Sequence, residues 1–187
     1  MKVRRLGLFG GTFDPPHLGH VAALSAAAAT GRFERLVVTV AGDPYLKGPG
    51  VLDSKERLAM AHAAFDDLPL VEVSDLELRR AGPSYTIETV RELLTEADDV
   101  DLIVGADLAT QLDRWREAER LRELVEVGVV PRPGSLQPPP PQWRTYLIPM
   151  EPVDLSSTFV RELPPGTDDL RNILPVRVIP LFERARG

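Results

Sequence analysis

Short apolar runs alternate along the chain with longer stretches in which apolar residues recur at helical spacing. The apolar runs are rich in valine, leucine and isoleucine, which is typical of strands that a sheet buries on both faces. They cover residues 6–9, 36–40, 70–73, 102–104, 127–130 and 146–148. The helix-like stretches cover residues 18–30, 55–65, 85–96 and 108–125, the last of them broken near Trp115. This alternation predicts an α/β fold, with a doubly wound, Rossmann-like, mostly parallel sheet flanked by helices.

Several residues mark where these helices are expected to begin and end. Gly31 follows the first helix-like stretch and is expected to stop it. Asp53 or Ser54 is available to cap the second helix, and Ser84 to cap the third, because short polar side chains accept hydrogen bonds from the first-turn N–H groups.

Proline shapes the last third of the chain. Residues 131–142 include four consecutive prolines and predict a stiff, polyproline-like surface loop, since proline fits neither a helix interior nor a central strand. A short helix is expected over residues 156–161, and a last helix is expected to start at Pro175 and to be kinked or shortened by Pro180. We therefore expect residues 1–187 to form a single domain whose C-terminal part, from about residue 156, is helical.

Composition narrows the class of protein. A chain of 187 residues can build one sizeable core, and its net charge of −6 argues against a nucleic-acid-binding surface. The chain has no cysteine, which excludes disulfides, thiolate chemistry and the commonest zinc sites. No apolar segment approaches the roughly 20 residues that span a bilayer, and the apolar run after Arg5 is too short for a signal peptide. We expect a cytoplasmic protein with neither membrane nor nucleic acid as a partner, and association into homo-oligomers stays open.

The strongest chemical signal lies between the first predicted strand and the first predicted helix. Residues 10–20 read Gly-Gly-Thr-Phe-Asp-Pro-Pro-His-Leu-Gly-His. Gly10 and Gly11 let the backbone approach a ligand without a Cβ in the way, and Gly19 is expected to do the same. His17 and His20 are three residues apart on a helix entry, so both imidazoles can donate to one anion, for which phosphate fits best.

Two other interpretations of these histidines stay open. The first is that they are ordinary surface or capping residues, and the second is that they bind a metal. The glycine-rich strand-to-helix junction favours phosphate binding over the first, and the lack of a nearby cysteine or of paired carboxylates disfavours the second.

A second phosphate-binding candidate lies near the C-terminus. Ser156, Ser157 and Thr158 can cap a helix and offer hydroxyl and N–H groups to phosphates. Arg161 follows one turn later and can donate to two phosphate oxygens at once. Taken alone, such a triplet is most often an ordinary helix cap.

Together the two segments resemble a known superfamily. Residues 11–20 resemble the T/H-x-G-H signature of the nucleotidyltransferases, and residues 155–161 (Leu-Ser-Ser-Thr-Phe-Val-Arg) are similar to their I-S-S-T-x-x-R signature. These enzymes transfer a nucleotidyl group from a nucleoside triphosphate and release pyrophosphate. The resemblance implies that His17, His20 and Arg161 are catalytic. It also implies an ATP site made by Gly10, Gly11, Thr12, Phe13, Gly105, Asp107, Arg132, Ser156, Ser157 and Thr158.

Three middle segments are similar to those of bacterial nicotinate-nucleotide adenylyltransferases. They are the Ser-Tyr-Thr of residues 84–86, the Gly-Ala-Asp of residues 105–107 with Trp115 after it, and the Val-Pro-Arg-Pro-Gly of residues 130–134. By this resemblance Trp115 stacks on the nicotinate ring, Thr86 with nearby N–H groups holds its carboxylate, and Asp107 contacts the nucleotide. The alternatives are that Trp115 is a core or interface aromatic and Tyr85 a packing residue.

The implied mononucleotide site is completed by a cation. It consists of Lys47, Ser84, Tyr85, Thr86 and Trp115. Residues 42–48 depart from the Pro-Pro-His-Lys pattern that the family often carries at this point, and Lys47 is the residue that would replace its cation.

The resemblance implies adenylyl transfer from ATP to nicotinate mononucleotide, which gives nicotinate adenine dinucleotide and pyrophosphate in NAD biosynthesis. Mg²⁺ is expected to arrive with ATP and no metal to be held by a cage of protein side chains. Two alternatives stay open. One is a related transferase with another acceptor, such as nicotinamide mononucleotide or phosphopantetheine, and the other is a nucleotide-binding sensor without turnover.

Overall fold

Within the residues that the structure describes, six parallel strands form one sheet in the order β3-β2-β1-β4-β5-β6. The structure is a computed structural model that describes residues 2–43, 52–135 and 137–187. The strands are β1 (Val3–Gly11), β2 (Arg35–Val40), β3 (Val71–Ser74), β4 (Ala97–Gly105), β5 (Val125–Val130) and β6 (Thr145–Leu147). Each of the six predicted strands overlaps one of these, and the predicted doubly wound parallel sheet is confirmed.

Helices cover both faces of this sheet. Within the described residues they are α1 (Leu18–Ala29), α2 (Ser54–Phe65), α3 (Leu76–Arg79), α4 (Thr86–Leu93), α5 (Ala106–Ala109), α6 (Ala118–Leu124), α7 (Ser157–Glu162) and α8 (Ile179–Arg186). Two 3₁₀ helices, Leu112–Arg114 and Asp168–Asn172, lie between them. Among the described residues, no helix has the length and apolar character needed to cross a membrane.

Alternation along the strands separates two cores. In β1, Leu6 and Leu8 pack with Val90 of α4 on one face, while Phe9 packs with Leu24 of α1 on the other. A smaller third cluster joins Met60 of α2 to α7 and α8. The C-terminal helices are therefore packed against α2, beside the carboxyl ends of β1 and β2.

Two of the predicted helix boundaries are confirmed. Asp53 caps α2 by accepting the N–H of Lys55 at 2.8 Å. Gly31 follows the end of α1 with a positive φ of 66°, which glycine adopts without steric cost.

The prediction for Ser84 is wrong. The residue that caps α4 is Tyr85, and the hydroxyl of Ser84 instead accepts the N–H of Gly42 at 2.9 Å. The Ser84 hydroxyl therefore makes a tertiary contact just beyond the end of β2, whereas the local sequence pattern predicts that it caps the helix. The same helix ends at Leu93 rather than at residue 96, because β4 already begins at Ala97.

The broken fourth helix is confirmed, and the last helix differs from expectation. Between α5 and α6 the chain is extended at Trp115, and Glu117 has a φ of 50°, so no continuous helix forms. The last helix does not start at Pro175. It starts at Ile179 and takes Pro180 into its first turn, where a missing N–H costs no hydrogen bond and causes no kink.

The proline-rich loop contains neither helix nor strand in residues 131–135 and 137–142. Trp143 follows it as a buried anchor, and its indole N–H donates to Asp113 at 2.7 Å.

The strand order places a crevice beside the first motif. The chain winds outward from β1 in one direction through β2 and β3, and in the other through β4 and β5. Ligands of such sheets bind where the direction reverses, at the carboxyl ends of the strands. Here β1 ends at Gly11 and β4 ends at Gly105.

Candidate active site

The two histidines of the first motif lie face to face at the start of α1. Their ring centroids are 3.7 Å apart and the planes are 25° from parallel. His17 caps the helix, and its backbone N–H donates to Nδ1 of His20 at 3.1 Å. Since Nδ1 of His20 is an acceptor, the proton of the neutral ring is on Nε2. The expectation that both imidazoles share one small volume is met.

His17 is the more deeply buried of the pair. Its side chain is only 1% exposed, and burial, reinforced by the Arg132 guanidinium, lowers the pKa of His17 from 6.5 to about 3. The ring is therefore neutral at physiological pH, and a hydrogen bond that it donates to phosphate comes from an uncharged imidazole.

Packing explains two of the motif's glycines. A Cβ at Gly19 would lie 3.0 Å from Nδ1 of His17, so the buried imidazole already fills the space that a side chain would need. A Cβ at Gly11 would lie 2.8 Å from the Phe13 ring, which turns back into the core at a φ of 51°. The side chain of Phe13 is 2% exposed and rests edge-on against His20, so only its backbone is available to a ligand.

The second motif docks onto the first across 142 residues of sequence. Arg161 donates to the backbone carbonyl of Asp14 at 2.6 Å, and the hydroxyl of Ser157 donates to the carbonyl of Pro15 at 2.9 Å. Ser156 caps α7 by accepting the N–H of Phe159 at 3.1 Å. The two segments that the sequence singled out as phosphate binders thus share one edge of the sheet.

A two-part crevice leads from His20 to the second motif. Its inner part lies against Gly19 and His20 and is closed by Gly105 at the end of β4. Its outer part lies against Asp107 and Ser156. Arg132 lines both parts and donates to the carbonyl of Leu155 at 2.8 Å. A Cβ at Gly105 would lie 2.5 Å from Oδ1 of Asp107, so a side chain there would displace the Asp107 carboxylate. Gly10 and Thr12 lie at the adjoining end of β1.

The implied mononucleotide residues form a neighbouring group at the N-terminus of α4. Ser84 bonds to Gly42 and Asp43 beyond β2, and Thr86 is the first residue of α4. Tyr85 and Trp115 are partly buried and pack on the same core cluster, with the guanidinium of Arg116 lying 4.7 Å from the Tyr85 ring centroid. Lys47 lies outside the described residues.

Comparison with known proteins gives the family. Residues 8–163 match the family model described as cytidylyltransferase-like. A Thermus thermophilus protein named "Probable nicotinate-nucleotide adenylyltransferase" is 41% identical over 160 residues, which cover 84% of each chain. A Roseiflexus protein of the same name is 36% identical over 194 residues, which cover 98% of this chain and 97% of the relative. The chain belongs to this family.

A solved structure has the same fold as this chain. The Plasmodium falciparum nicotinic acid mononucleotide adenylyltransferase, complexed with NaAD, superposes with a TM-score of 0.80 over 97% of this chain and 95% of its own. Its sequence identity is 18%, so the likeness concerns the fold.

Sequence reasoning missed Arg57, the largest of the fully buried side chains of the described residues. It stands in the first turn of α2, and its guanidinium lies under the ends of β1 and β2, where it bonds to backbone carbonyls. A signal was present. Arg57, Met60 and Ala61 share one helix face, so an arginine occupies an otherwise apolar stripe.

The groups that line the crevice are mainly hydrogen-bond donors. No group of three or more histidine and carboxylate side chains able to hold a metal occurs within residues 2–43, 52–135 and 137–187. The crevice instead offers imidazoles, arginines and hydroxyls, which bind phosphate oxygens.

Proposed function

We propose that this protein transfers the adenylyl group of ATP to nicotinate mononucleotide in the cytoplasm. An oxygen of the mononucleotide's 5′-phosphate attacks the α-phosphorus of ATP, and the bond from that phosphorus to the β-phosphate bridging oxygen breaks. The products are nicotinate adenine dinucleotide and pyrophosphate. The relatives at 36–41% identity that carry the name of this activity support the proposal.

The observation that carries the proposal is the junction of the two motifs. Arg161 and Ser157 bond to the carbonyls of Asp14 and Pro15, within a few residues of the stacked histidines. A site that only bound a mononucleotide would have no need of two phosphate-binding segments. A triphosphate reaching from the α1 N-terminus to α7 needs both.

Electrostatics divides the work between these groups. His17 is neutral and His20 lines the inner crevice, so we assign them hydrogen bonds to the α-phosphate, where negative charge develops in the transition state. Arg161 is one-third exposed at the end of α7, and we assign it to the leaving pyrophosphate together with Thr158. Arg132, Asp107 and Gly105 would hold the nucleoside in the outer crevice.

The acceptor needs orientation rather than activation. A phosphate monoester has its second pKa near 6, so it is already a dianion at neutral pH and no general base is required. Catalysis then rests on bringing two polyanions into line. We assign the nicotinate ring to Trp115 and its carboxylate to the first turn of α4 at Thr86, where a helix N-terminus favours an anion. Ser84 and Tyr85 would position that turn, and Lys47 would supply a cation.

We also propose that ATP brings Mg²⁺ with it. The ion would neutralise charge on the phosphates, and it keeps most of its waters when few protein oxygens are available. The chain's own part is to bind the remaining phosphate oxygens through His20, Arg161 and the hydroxyls near them.

The test is pyrophosphate release from MgATP with four single acceptors: nicotinate mononucleotide, nicotinamide mononucleotide, phosphopantetheine and none. We expect rapid release with nicotinate mononucleotide and at least tenfold less with the others. Fast release with another acceptor alone would contradict the assignment of Trp115 and Thr86. Tight ATP binding without release for any acceptor would point to a sensor and end the proposal.

A further inference from the structure

The buried guanidinium of Arg57 lies at the point where β1 and β2 part. The last backbone bond between these strands runs from the N–H of Ala41 to the carbonyl of Gly11, at 2.9 Å. One residue further on, Nη1 of Arg57 donates both to the carbonyl of Thr12, at 2.9 Å, and to that of Ala41, at 2.7 Å. The arginine thus forms the next rung between two strands that have separated too far to bond directly.

The other nitrogens of the same side chain extend this clamp. Nη2 donates to the carbonyl of Gly42 at 3.3 Å, and Nε donates to that of Leu52 at 2.9 Å. Arg57 is 2% exposed, and burial lowers its pKa while Asp14 and Asp53 raise it. A guanidinium with five donors in one plane can serve four carbonyls, which the compact ammonium of lysine cannot do.

The clamp connects the two halves of the proposed site. On one side, Thr12 leads through Asp14, whose carbonyl Arg161 holds. On the other side, the N–H of Gly42 donates to Ser84, two residues before the first turn of α4. A Cβ at Gly42 would lie 2.7 Å from the carbonyl of Glu77, so this end of β2 is also held closely from behind. Arg57 therefore adds a second, side-chain link from the phosphate motif to the acceptor segment, one residue beyond the backbone bond between Ala41 and Gly11.

We propose that Arg57 is a positioning residue that fixes the spacing between the triphosphate half-site and the mononucleotide half-site. This rests on the proposed adenylyl transfer. In-line displacement requires the attacking oxygen within about 3–3.5 Å of the phosphorus, and a misplacement of 1 Å can lower the rate about 10²-fold. Loosening the clamp leaves each substrate its own contacts and disturbs only their mutual position.

The test compares Arg57→Lys and Arg57→Met with wild type, and with Arg32→Met as a control. Arg32 also makes several charged bonds but lies at the opposite end of the strands, against Asp101 and Glu126. We expect kcat to fall about ten- to a hundredfold in both Arg57 variants, with KM for ATP and for the mononucleotide changed less than threefold. Lysine is expected to recover thermal stability relative to methionine without recovering kcat. Arg32→Met should lose stability and keep kcat per folded molecule.

Three outcomes would overturn the proposal. One is an unchanged kcat in the folded fraction of Arg57→Lys, which would make the residue purely structural. Another is a rise in KM for a single substrate at constant kcat, which would assign it to one half-site. The third is unchanged amide hydrogen exchange at residues 11–14 and 40–43 in both Arg57 variants. The exchange measurement needs no turnover, so a wild type without activity would refute the proposed function and still leave the clamp tested.

Discussion

Arginine is used in opposite ways at the two ends of the same parallel sheet. Toward the amino ends of the strands, Arg5 and Arg32 bond to carboxylates: Asp101 at 2.7 and 2.6 Å, Asp99 at 3.0 Å and Glu126 at 2.6 Å. We call these five residues, with Tyr146, the basal ion cluster. At the carboxyl ends, Arg57, Arg132 and Arg161 bond mainly to backbone carbonyls.

The type of hydrogen-bond partner determines how much of each arginine's positive charge remains uncompensated. In the basal ion cluster, two guanidiniums face three carboxylates, and Tyr146 donates its hydroxyl to Asp101 at 2.8 Å, so positive charge is fully compensated. Of Arg57, Arg132 and Arg161, only Arg161 has a carboxylate oxygen within 4 Å among the described residues, from Asp14 at 3.7 Å. A carbonyl satisfies the donor without cancelling the charge. We therefore expect these three arginines to leave positive charge available to phosphates at the carboxyl end, within a chain of net charge −6.

The largest effect should come from removing His20. We expect His20→Ala to lower kcat about 10²–10³-fold, since it deletes a hydrogen-bond donor at the reacting phosphate. Steady-state pyrophosphate release measures this. His62→Ala is the matched control, because His62 is exposed on α2 and its side chain bonds to Asp66 at 3.0 Å. Equal loss in both variants would contradict the site.

Asp101→Asn should produce the opposite pattern at the amino end. Asp101 is 1% exposed and serves Arg5, Arg32 and Tyr146, so its neutralisation leaves two cations without their main partner. We expect a loss of about 2–3 kcal/mol in unfolding free energy, at the low end for a broken buried pair because both arginines reach solvent. Urea unfolding gives this value, and kcat per folded molecule should stay within twofold of wild type. If Asp101→Asn were as stable as wild type but had a lower kcat, the assignment of a structural role to the amino end and a catalytic role to the carboxyl end would be contradicted.

His17 should make the carboxyl end sensitive to acid. Its pKa is about 3 in the folded protein and near 6.5 when unfolded, so the unfolded chain binds the extra proton between these values and stability falls as pH drops through this window. Between pH 8 and 5.5 the group should remove about 1.4 kcal/mol of unfolding free energy. The difference between wild type and His17→Gln at each pH isolates this contribution. Parallel stability curves for the two proteins would show that His17 titrates normally.

The smallest effect concerns the acceptor. Trp115→Ala should raise KM for the mononucleotide about three- to tenfold, the size of one aromatic stacking contact, and leave KM for ATP unchanged. Trp143→Phe is its control, because this other tryptophan is a buried anchor bonded to Asp113 and should lower stability alone. A change in KM for ATP of the same size in Trp115→Ala would place the indole on the wrong substrate.

Local patterns in the sequence predicted much of this molecule. The six strands and the strand-to-helix turn at Gly10 and Gly11 are visible because buried parallel strands and glycine turns have short-range signatures. Contacts between segments that are distant along the chain have no such short-range signature and could not be predicted. The diversion of Ser84 from its helix to Gly42, and the clamp that Arg57 forms on Thr12, depend on strands that meet only in the folded chain. The packing of Phe182 of α8 in one cluster with Met60 of α2 and Val160 of α7 is a further contact between distant segments.

The most direct test of the two-ended use of arginine is the affinity for pyrophosphate, measured by calorimetry for wild type, Arg161→Met and Arg5→Met at equal salt. Uncompensated charge at the carboxyl end predicts that Arg161→Met binds at least tenfold more weakly, which is about 1.4 kcal/mol, while Arg5→Met binds as wild type does. Equal affinity in all three proteins would contradict the account, because the positive potential would then not reside at the end of the sheet where both motifs meet.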